Sequence, residues 1–230
     1  MRSNKLRPGP NPSARSPFPG PSTPTMHNHG LALIQRDSAE LLEELLAQLH
    51  ARWGPQQTLW VFGYASLIWR PEFEALERRP ARIPGWHRSF RMRSRVNRGT
   101  PEEPGLVFAL LRGGSCNGVV DQLPQHRAEE ELARLWAREM PTGVYQPRWL
   151  ACHTPKGLVP ALAFTLNRAH EAYLGPIDDK RMLHILRHAR GRYGTTLDYL
   201  VDTATALQAH GVNDSEIARV MTLARRHGLI

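Results

Sequence analysis

Strand-like segments in this chain come in runs rather than in alternation with helices, and that order excludes most architectures open to 230 residues. An apolar β-prone run at 59–64 comes first, and an extended stretch with period-two patterning covers 81–96. Two further strands, 106–111 and 117–123, flank a Gly113-Gly114 turn. One helix at 127–140 interrupts the series, with Leu132, Leu135 and Trp136 on its apolar side and Glu129, Glu130 and Glu131 in its first turns. A hairpin follows, 144–153 and 158–166 joined through Pro155-Lys156-Gly157, and only then do three helices appear, at 178–190, 196–210 and 214–227. A doubly wound parallel sheet needs a helix between successive strands. The order here predicts an α+β chain: an antiparallel sheet, curled or closed, with helices packed around it.

Ahead of this body, residues 1–30 carry Pro8, Pro10, Pro12, Pro17, Pro19, Pro21 and Pro24 among Ser, Asn and Gly. Such a segment buries too little apolar surface to offset its ordering entropy, so it reads as a disordered basic tail. His27 and His29 lie in it without further ligands. Residues 31–58 read as a helical extension, capped by Ser38, striped by Leu41, Leu42, Leu45, Leu46 and Leu49, and stopped at Gly54-Pro55. Residues 59–230 form the domain proper. The first residues are basic but lack a following apolar core, so no secretory signal is expected. No apolar run nears the roughly 20 residues of a membrane span. Cys116 and Cys152 stand far apart and outside CxxC spacing, which points to a reducing cytoplasm rather than a disulfide framework.

The net charge of +9 invites a nucleic-acid partner. Its sources are the tail (Arg2, Lys5, Arg7, Arg15) and a cluster from Arg78 to Arg98. Within that cluster Arg91, Arg93 and Arg95 alternate with Phe90, Met92 and Ser94, giving one arginine face. The face is either a grip for phosphates or carboxylates or a solvent-facing strand side. Aromatic residues do not interleave it as a single-strand platform requires, so no nucleic-acid partner is expected.

The segment Trp60-Val61-Phe62-Gly63-Tyr64-Ala65-Ser66-Leu67-Ile68-Trp69 carries the clearest chemistry. A buried strand that runs into small residues can leave several N–H groups pointing one way, a cradle for a carboxylate or oxyanion; an ordinary turn is the alternative. Ser66 lacks the flanking glycines of a nucleophile elbow, with Tyr64 before it and Ile68 after it. Cys116 and Cys152 have no evident basic partner, and His153 points to the opposite strand face from Cys152. Glu139, at the end of the 127–140 helix, sits at the unfavourable pole of the helix dipole. It is either a solvated terminal carboxylate or one with a raised pKa, suited to general acid/base work.

Several of these segments together resemble the ChaC-type γ-glutamylcyclotransferases. The strand and loop Val61-Phe62-Gly63-Tyr64-Ala65-Ser66-Leu67-Ile68-Trp69 is similar to the family's opening signature. Pro84-Gly85-Trp86-His87-Arg88-Ser89-Phe90 and Arg98-Gly99-Thr100-Pro101-Glu102-Glu103-Pro104-Gly105 resemble its next strand and loop. Leu135-Trp136-Ala137-Arg138-Glu139-Met140 resembles the helix end that carries its catalytic glutamate. Tyr173-Leu174-Gly175 and Gly194-Thr195-Thr196-Leu197-Asp198-Tyr199-Leu200 are similar to its C-terminal segments.

The resemblance implies a small closed, mostly antiparallel β-barrel with surrounding helices and a helical C-terminal segment. It implies a small-molecule substrate, glutathione or a close γ-glutamyl peptide, cleaved to 5-oxoproline and cysteinylglycine, with no metal or organic cofactor. Glu139 takes the role of general acid/base. Tyr64, Ala65, Ser66 and Leu67 hold the γ-glutamyl group, and Tyr199 stands near the site. Arg98 or Arg91 is assigned, on charge alone, to the glycine carboxylate. Oligomeric state stays open. Two departures keep alternatives in view: Ala65 stands where the family usually has glycine, and Val120-Asp121-Gln122 replaces a stretch that tends to read Ala-Tyr-Arg. If position 65 needs positive φ, alanine distorts the cradle. The alternatives are action on other γ-glutamyl amines or amino acids, and an inactive γ-glutamyl-binding module.

Overall fold

The computed structural model describes residues 38–54 and 58–230; the Pro-rich tail, with His27 and His29, lies outside the described residues. Helix α1 spans Ser38–Trp53 and stops where Gly54 turns left-handed at φ 94°, its N–H closing back on His50 O. Strand β1 (Trp60–Gly63) leads into a single turn, α2 (Ser66–Trp69). Two long strands follow, β2 (Glu77–Ser94) and β3 (Gly105–Gln122). Helix α3 (Ala128–Glu139) precedes the hairpin β4 (Tyr145–Thr154) and β5 (Gly157–Leu166). Then come α4 (Asp179–His188), the two-residue strands β6 (Arg190–Gly191) and β7 (Gly194–Thr195), α5 (Thr196–Ala209) and α6 (Ser215–Arg226). Among the described residues no helix is long and apolar enough to cross a membrane.

The five main strands close into a barrel in the order β1-β3-β2-β4-β5. Every seam is antiparallel except β1 against β5, where Val61 pairs Leu162 in parallel. That parallel seam explains why β1 reads as an unbroken apolar run rather than an alternating one. Trp60 and Phe62 join the large core cluster with Phe90, Phe108 and Val119, while Val61 turns to a second cluster with Leu132, Trp136 and Phe164. Both faces are buried, so both must be apolar.

One expectation is corrected. Gly113-Gly114 is not a turn between two strands but a kink within one 18-residue strand, opposite a second kink at Gly85 on β2. The register slips between Pro84 and Trp86, and again between Ser89 and Met92. Such bulges bend and twist a long hairpin, which is what lets β2 and β3 curl far enough for closure. Where β3 passes under β1 the approach is tighter still. A Cβ on Gly118 would stand 2.3 Å from Gly63 O, so only glycine fits.

The arginine cluster dissolves mostly into structural roles. Arg78 holds Asp121 with two bonds, 2.6 and 2.8 Å, and also donates to Ile68 O at 2.8 Å. Arg79 pairs Glu77, and Arg82 donates to Ser115 Oγ. The Arg88 side chain is fully buried. Arg91 and Arg93 are half-buried and Arg95 exposed, while Phe90, Met92 and Ser94 face inward, as the period-two pattern predicts.

Asp121 thus acts as a clamp that ties β3 and β2 to the end of α2. Asp121→Ala leaves the Arg78 guanidinium without its partner and is expected to destabilise the fold by about 3 kcal/mol. Urea unfolding measures this; turnover per folded molecule should stay near that of the parent.

Candidate active site

The narrow pocket at the β1–α2 junction is lined by Tyr64, Ala65, Ser66 and Leu67. Glu139, Tyr145 and Tyr199, with the rings of Phe108 and Phe164, form the rest of its wall. A larger groove of about 580 Å³ runs between α1 and β4, along Leu41, Trp86, Arg112 and Trp149, but Glu139 is not on its wall. The smaller pocket is the candidate because backbone donors and a buried carboxylate converge there.

The cradle is built by a strand that stops abruptly. After Gly63 the ladder with β3 ends, and the chain turns at once, Ile68 N donating to Ala65 O at 2.9 Å and Arg70 N to Ser66 O at 2.7 Å. The N–H groups that precede the first bond of such a turn have no acceptor within it. Arg88 fixes their direction. Its Nε donates to Tyr64 O at 2.5 Å, its Nη2 to Asn117 O at 2.6 Å, and its Nη1 pairs with Asp214, the residue that caps α6. A trans peptide is planar with C=O and N–H opposed, so pinning the Tyr64 carbonyl aims the Ala65 N–H the other way. Ala65 itself has φ −149°, outside the left-handed region, so the positive-φ penalty that would count against alanine does not arise here.

Glu139 is the last residue of α3, which brings its carboxylate to the cradle. Burial pushes its pKa up, Arg138 beside it pulls down, and Glu72 nearby pushes up again, with burial the largest cause. The helix end therefore places the carboxylate, while desolvation dominates its ionisation. Arg138 Nε lies 3.0 Å from Glu139 Oε1, and the same guanidinium donates to Ser66 Oγ at 3.2 Å.

Three tyrosines surround the carboxylate. Tyr64 donates its hydroxyl to Phe164 O at 3.0 Å, and burial holds its pKa well above the ordinary value. Tyr145 shares a hydroxyl contact with Tyr64 and is raised by the same cause. Tyr199 accepts the Phe108 N–H at 3.2 Å, which leaves its own proton to donate; burial raises its pKa too. Its place follows from the α5 capping box, in which Thr195 and Asp198 each accept the other's N–H, and from Thr196 Oγ1, which accepts the Leu106 N–H at 3.1 Å.

The structure thus brings Tyr64, Ala65, Ser66, Leu67, Glu139 and Tyr199 onto one wall. Arg98 is not on it: its guanidinium lies over the outer face of the Tyr199 ring, 5.3 Å from the centroid, with Nη1 donating to Thr195 O. Asp121 does not line the pocket either. Sequence reasoning missed Tyr145, Phe108 and Phe164, and the roles of Arg88 and Arg138. The apolar period of β3 and β5 marked the two phenylalanines as core, but nothing local distinguished pocket wall from core. Tyr145 had one weak signal, its place just after the Pro141-Thr142-Gly143 break that ends the helix bearing Glu139.

Comparison with known proteins bears on the family and the fold. The model of the ChaC-like protein family matches residues 59–227. The chain is 33% identical over 190 residues to the glutathione-specific γ-glutamylcyclotransferase of Escherichia coli (strain K12), across 82% of each chain. It is 30% identical over 182 residues to glutathione-specific γ-glutamylcyclotransferase 1 of Homo sapiens, across 76% of this chain and 82% of that one. Its fold is similar to the crystal structure of a γ-glutamylcyclotransferase specific to glutathione from yeast, with a TM-score of 0.67 at 21% identity over 75% of this chain and 97% of that one.

A carboxyl whose folded-state pKa is raised stabilises the fold below its unfolded pKa, and that contribution is lost as pH rises through the folded value. Glu139→Gln removes the cost of the buried charge. Its Tm should match the parent near pH 4, rise above it as the pH passes through the folded-state midpoint of Glu139, and keep a constant lead beyond that midpoint, as read by thermal melts from pH 4 to pH 8.

Proposed function

The chain belongs to the ChaC-like protein family, and on that premise we propose that it is a glutathione-specific γ-glutamylcyclotransferase whose acid/base is Glu139. The observation that carries the reading is the convergence of a buried carboxylate with raised pKa and a row of backbone donors at Tyr64–Leu67 in one pocket.

The substrate supplies its own nucleophile. The α-amine of the γ-glutamyl group attacks the γ-carbonyl carbon, forming the C–N bond of a five-membered ring. The α-ammonium first gives one proton to solvent, and Glu139 takes the second proton that the attacking nitrogen sheds as the tetrahedral intermediate forms. The oxyanion of that intermediate faces the Ala65, Ser66 and Leu67 N–H groups, the first of them held in direction by Arg88 through the Tyr64 carbonyl. Glu139 then returns the proton to the cysteinyl nitrogen, the amide C–N bond breaks, and 5-oxoproline and cysteinylglycine leave. Confining amine and carbonyl in a narrow pocket makes the cyclising pose cheap in entropy. The raised carboxyl pKa makes Glu139 a stronger base than an ordinary carboxylate, which suits a group that must take a proton and return it. Tyr199, backed by Arg98, offers a hydroxyl donor to the γ-glutamyl group.

We assign the reaction to the cytoplasm. Both cysteines are buried free thiols, and burial pushes Cys116 up to about 11 and Cys152 up to about 12, in keeping with a reducing compartment.

Incubation of the full chain with glutathione should release equal amounts of 5-oxoproline and cysteinylglycine, quantified by chromatography. Glu139→Gln should lower kcat by roughly 10²- to 10⁴-fold, the usual contribution of a positioned acid/base. The acid limb of kcat/KM should lie above the ordinary carboxylate range. Undiminished turnover by Glu139→Gln would overturn the mechanism, and release of 5-oxoproline from γ-glutamyl amino acids but not from glutathione would change the substrate.

A further inference from the structure

We propose that Arg138 and Glu72 are positioning residues for the reaction, a charge pair that sets the distance between the acid/base and the backbone cradle. This rests on the reading of Glu139 as acid/base.

One guanidinium reaches both ends of the α2 turn. At its start, Arg138 Nη2 donates to Ser66 Oγ at 3.2 Å. At its end, Nη1 donates to Arg70 O and, at 3.3 Å, to Pro71 O. Toward the acid, Nε pairs with Glu139 Oε1 at 3.0 Å. The turn that presents the N–H row and the helix that presents the carboxylate come from segments about seventy residues apart, yet share this one planar fork. A lysine ammonium is a point charge and cannot make those divergent bonds together.

Glu72, which does not line the pocket, pairs with the same group. Its Oε2 lies 3.4 Å from Arg138 Nη1, and its Oε1 accepts from Arg70 Nε at 2.5 Å. Glu72 is the only non-glycine with positive φ among the described residues, at 58°. A left-handed residue with a Cβ is strained, and such strain persists where the surroundings demand it. Here the conformation puts the carboxylate on both arginines, although the side chain is 43% exposed and a glycine would relieve the backbone.

The consequence is electrostatic as well as geometric. The groups facing Glu139 are Arg138 on its own helix, Glu72 from the segment after α2, Tyr64 at the end of β1, Tyr145 on β4 and Tyr199 on α5. The three tyrosines are neutral at working pH, so Arg138 and Glu72 are the two charges that act on it. They act in opposite senses: Arg138 favours the carboxylate and Glu72 opposes it. Without Glu72, no second charge would oppose the pull of Arg138 on the Glu139 carboxyl.

The test titrates the Glu139 carboxyl by carbon NMR in the full chain, its resonance assigned by its loss in Glu139→Gln. Glu72→Gly, which relieves the left-handed backbone, should melt at or above the parent temperature. Its Glu139 midpoint should nonetheless fall by roughly half a pH unit or more. Arg138→Gln should move the midpoint up by at least as much. Arg138→Lys keeps the charge, so the midpoint should hold, while kcat on glutathione drops about tenfold or more and KM changes less, because the fork is gone. A Glu72→Gly protein that folds with an unmoved midpoint overturns the charge role, whatever the arginine variants do. Full kcat in Arg138→Lys overturns the positioning role. Both midpoint shifts in the variants, with glutathione left intact by the parent, would instead retire the glutathione reading and keep the charge pair.

Discussion

Everything at the pocket depends on a positive charge sealed inside the protein. Arg88 is surrounded by the barrel, and its guanidinium is satisfied by Tyr64 O, Asn117 O and Asp214. A buried guanidinium is costly unless every donor direction finds an acceptor, so the chain elements that supply those acceptors have little freedom to move. They are the last residue before the cradle, the middle of β3 and the cap of α6. One buried ion thereby links the Tyr64–Ala65 peptide to the C-terminal helices, and α6 is tied in again where Glu216 accepts the Phe90 N–H at 2.8 Å. The late helices are supports for the cradle rather than an appendage.

A second layer of arginines has a different task. Arg78 ties Ile68 O to the buried Asp121, and Arg138 ties Arg70 O and Ser66 Oγ to Glu139, so the short α2 turn is held from both sides. A single helical turn has almost no stability of its own. Its shape here is imposed by cations that cap its exposed carbonyls. Much of the basic balance of this sequence is spent on such contacts, which is why the charge cluster between Arg78 and Arg98 does not form one anion-binding surface.

How much of this was legible in advance varies by residue. The strand into Gly63-Tyr64-Ala65-Ser66 stood out because aromatic and small residues meet there, and Glu139 because a carboxylate closes its helix. The long β2–β3 hairpin was read as shorter pieces, since a glycine pair signals a turn locally and only the facing kink at Gly85 shows it to be a bend. The concern over Ala65 assumed a left-handed residue, and φ −149° removes its basis. Asp121 looked like a lost pocket residue, but register places it against Arg78. Arg98 looked like a ligand for a carboxylate, whereas it backs Tyr199.

The sequence by itself determined the element order, the faces that must be buried and the two segments that line the candidate site, because periodicity and chain breaks are local properties. Only the tertiary structure decided that those segments meet, that Tyr145 and Tyr199 complete the wall, and that Glu139 is raised mainly by desolvation rather than by its helix end. Burial and charge pairing depend on which distant elements close over a residue. Barrel closure through the parallel β1–β5 seam is a contact between Val61 and Leu162 that no local pattern encodes.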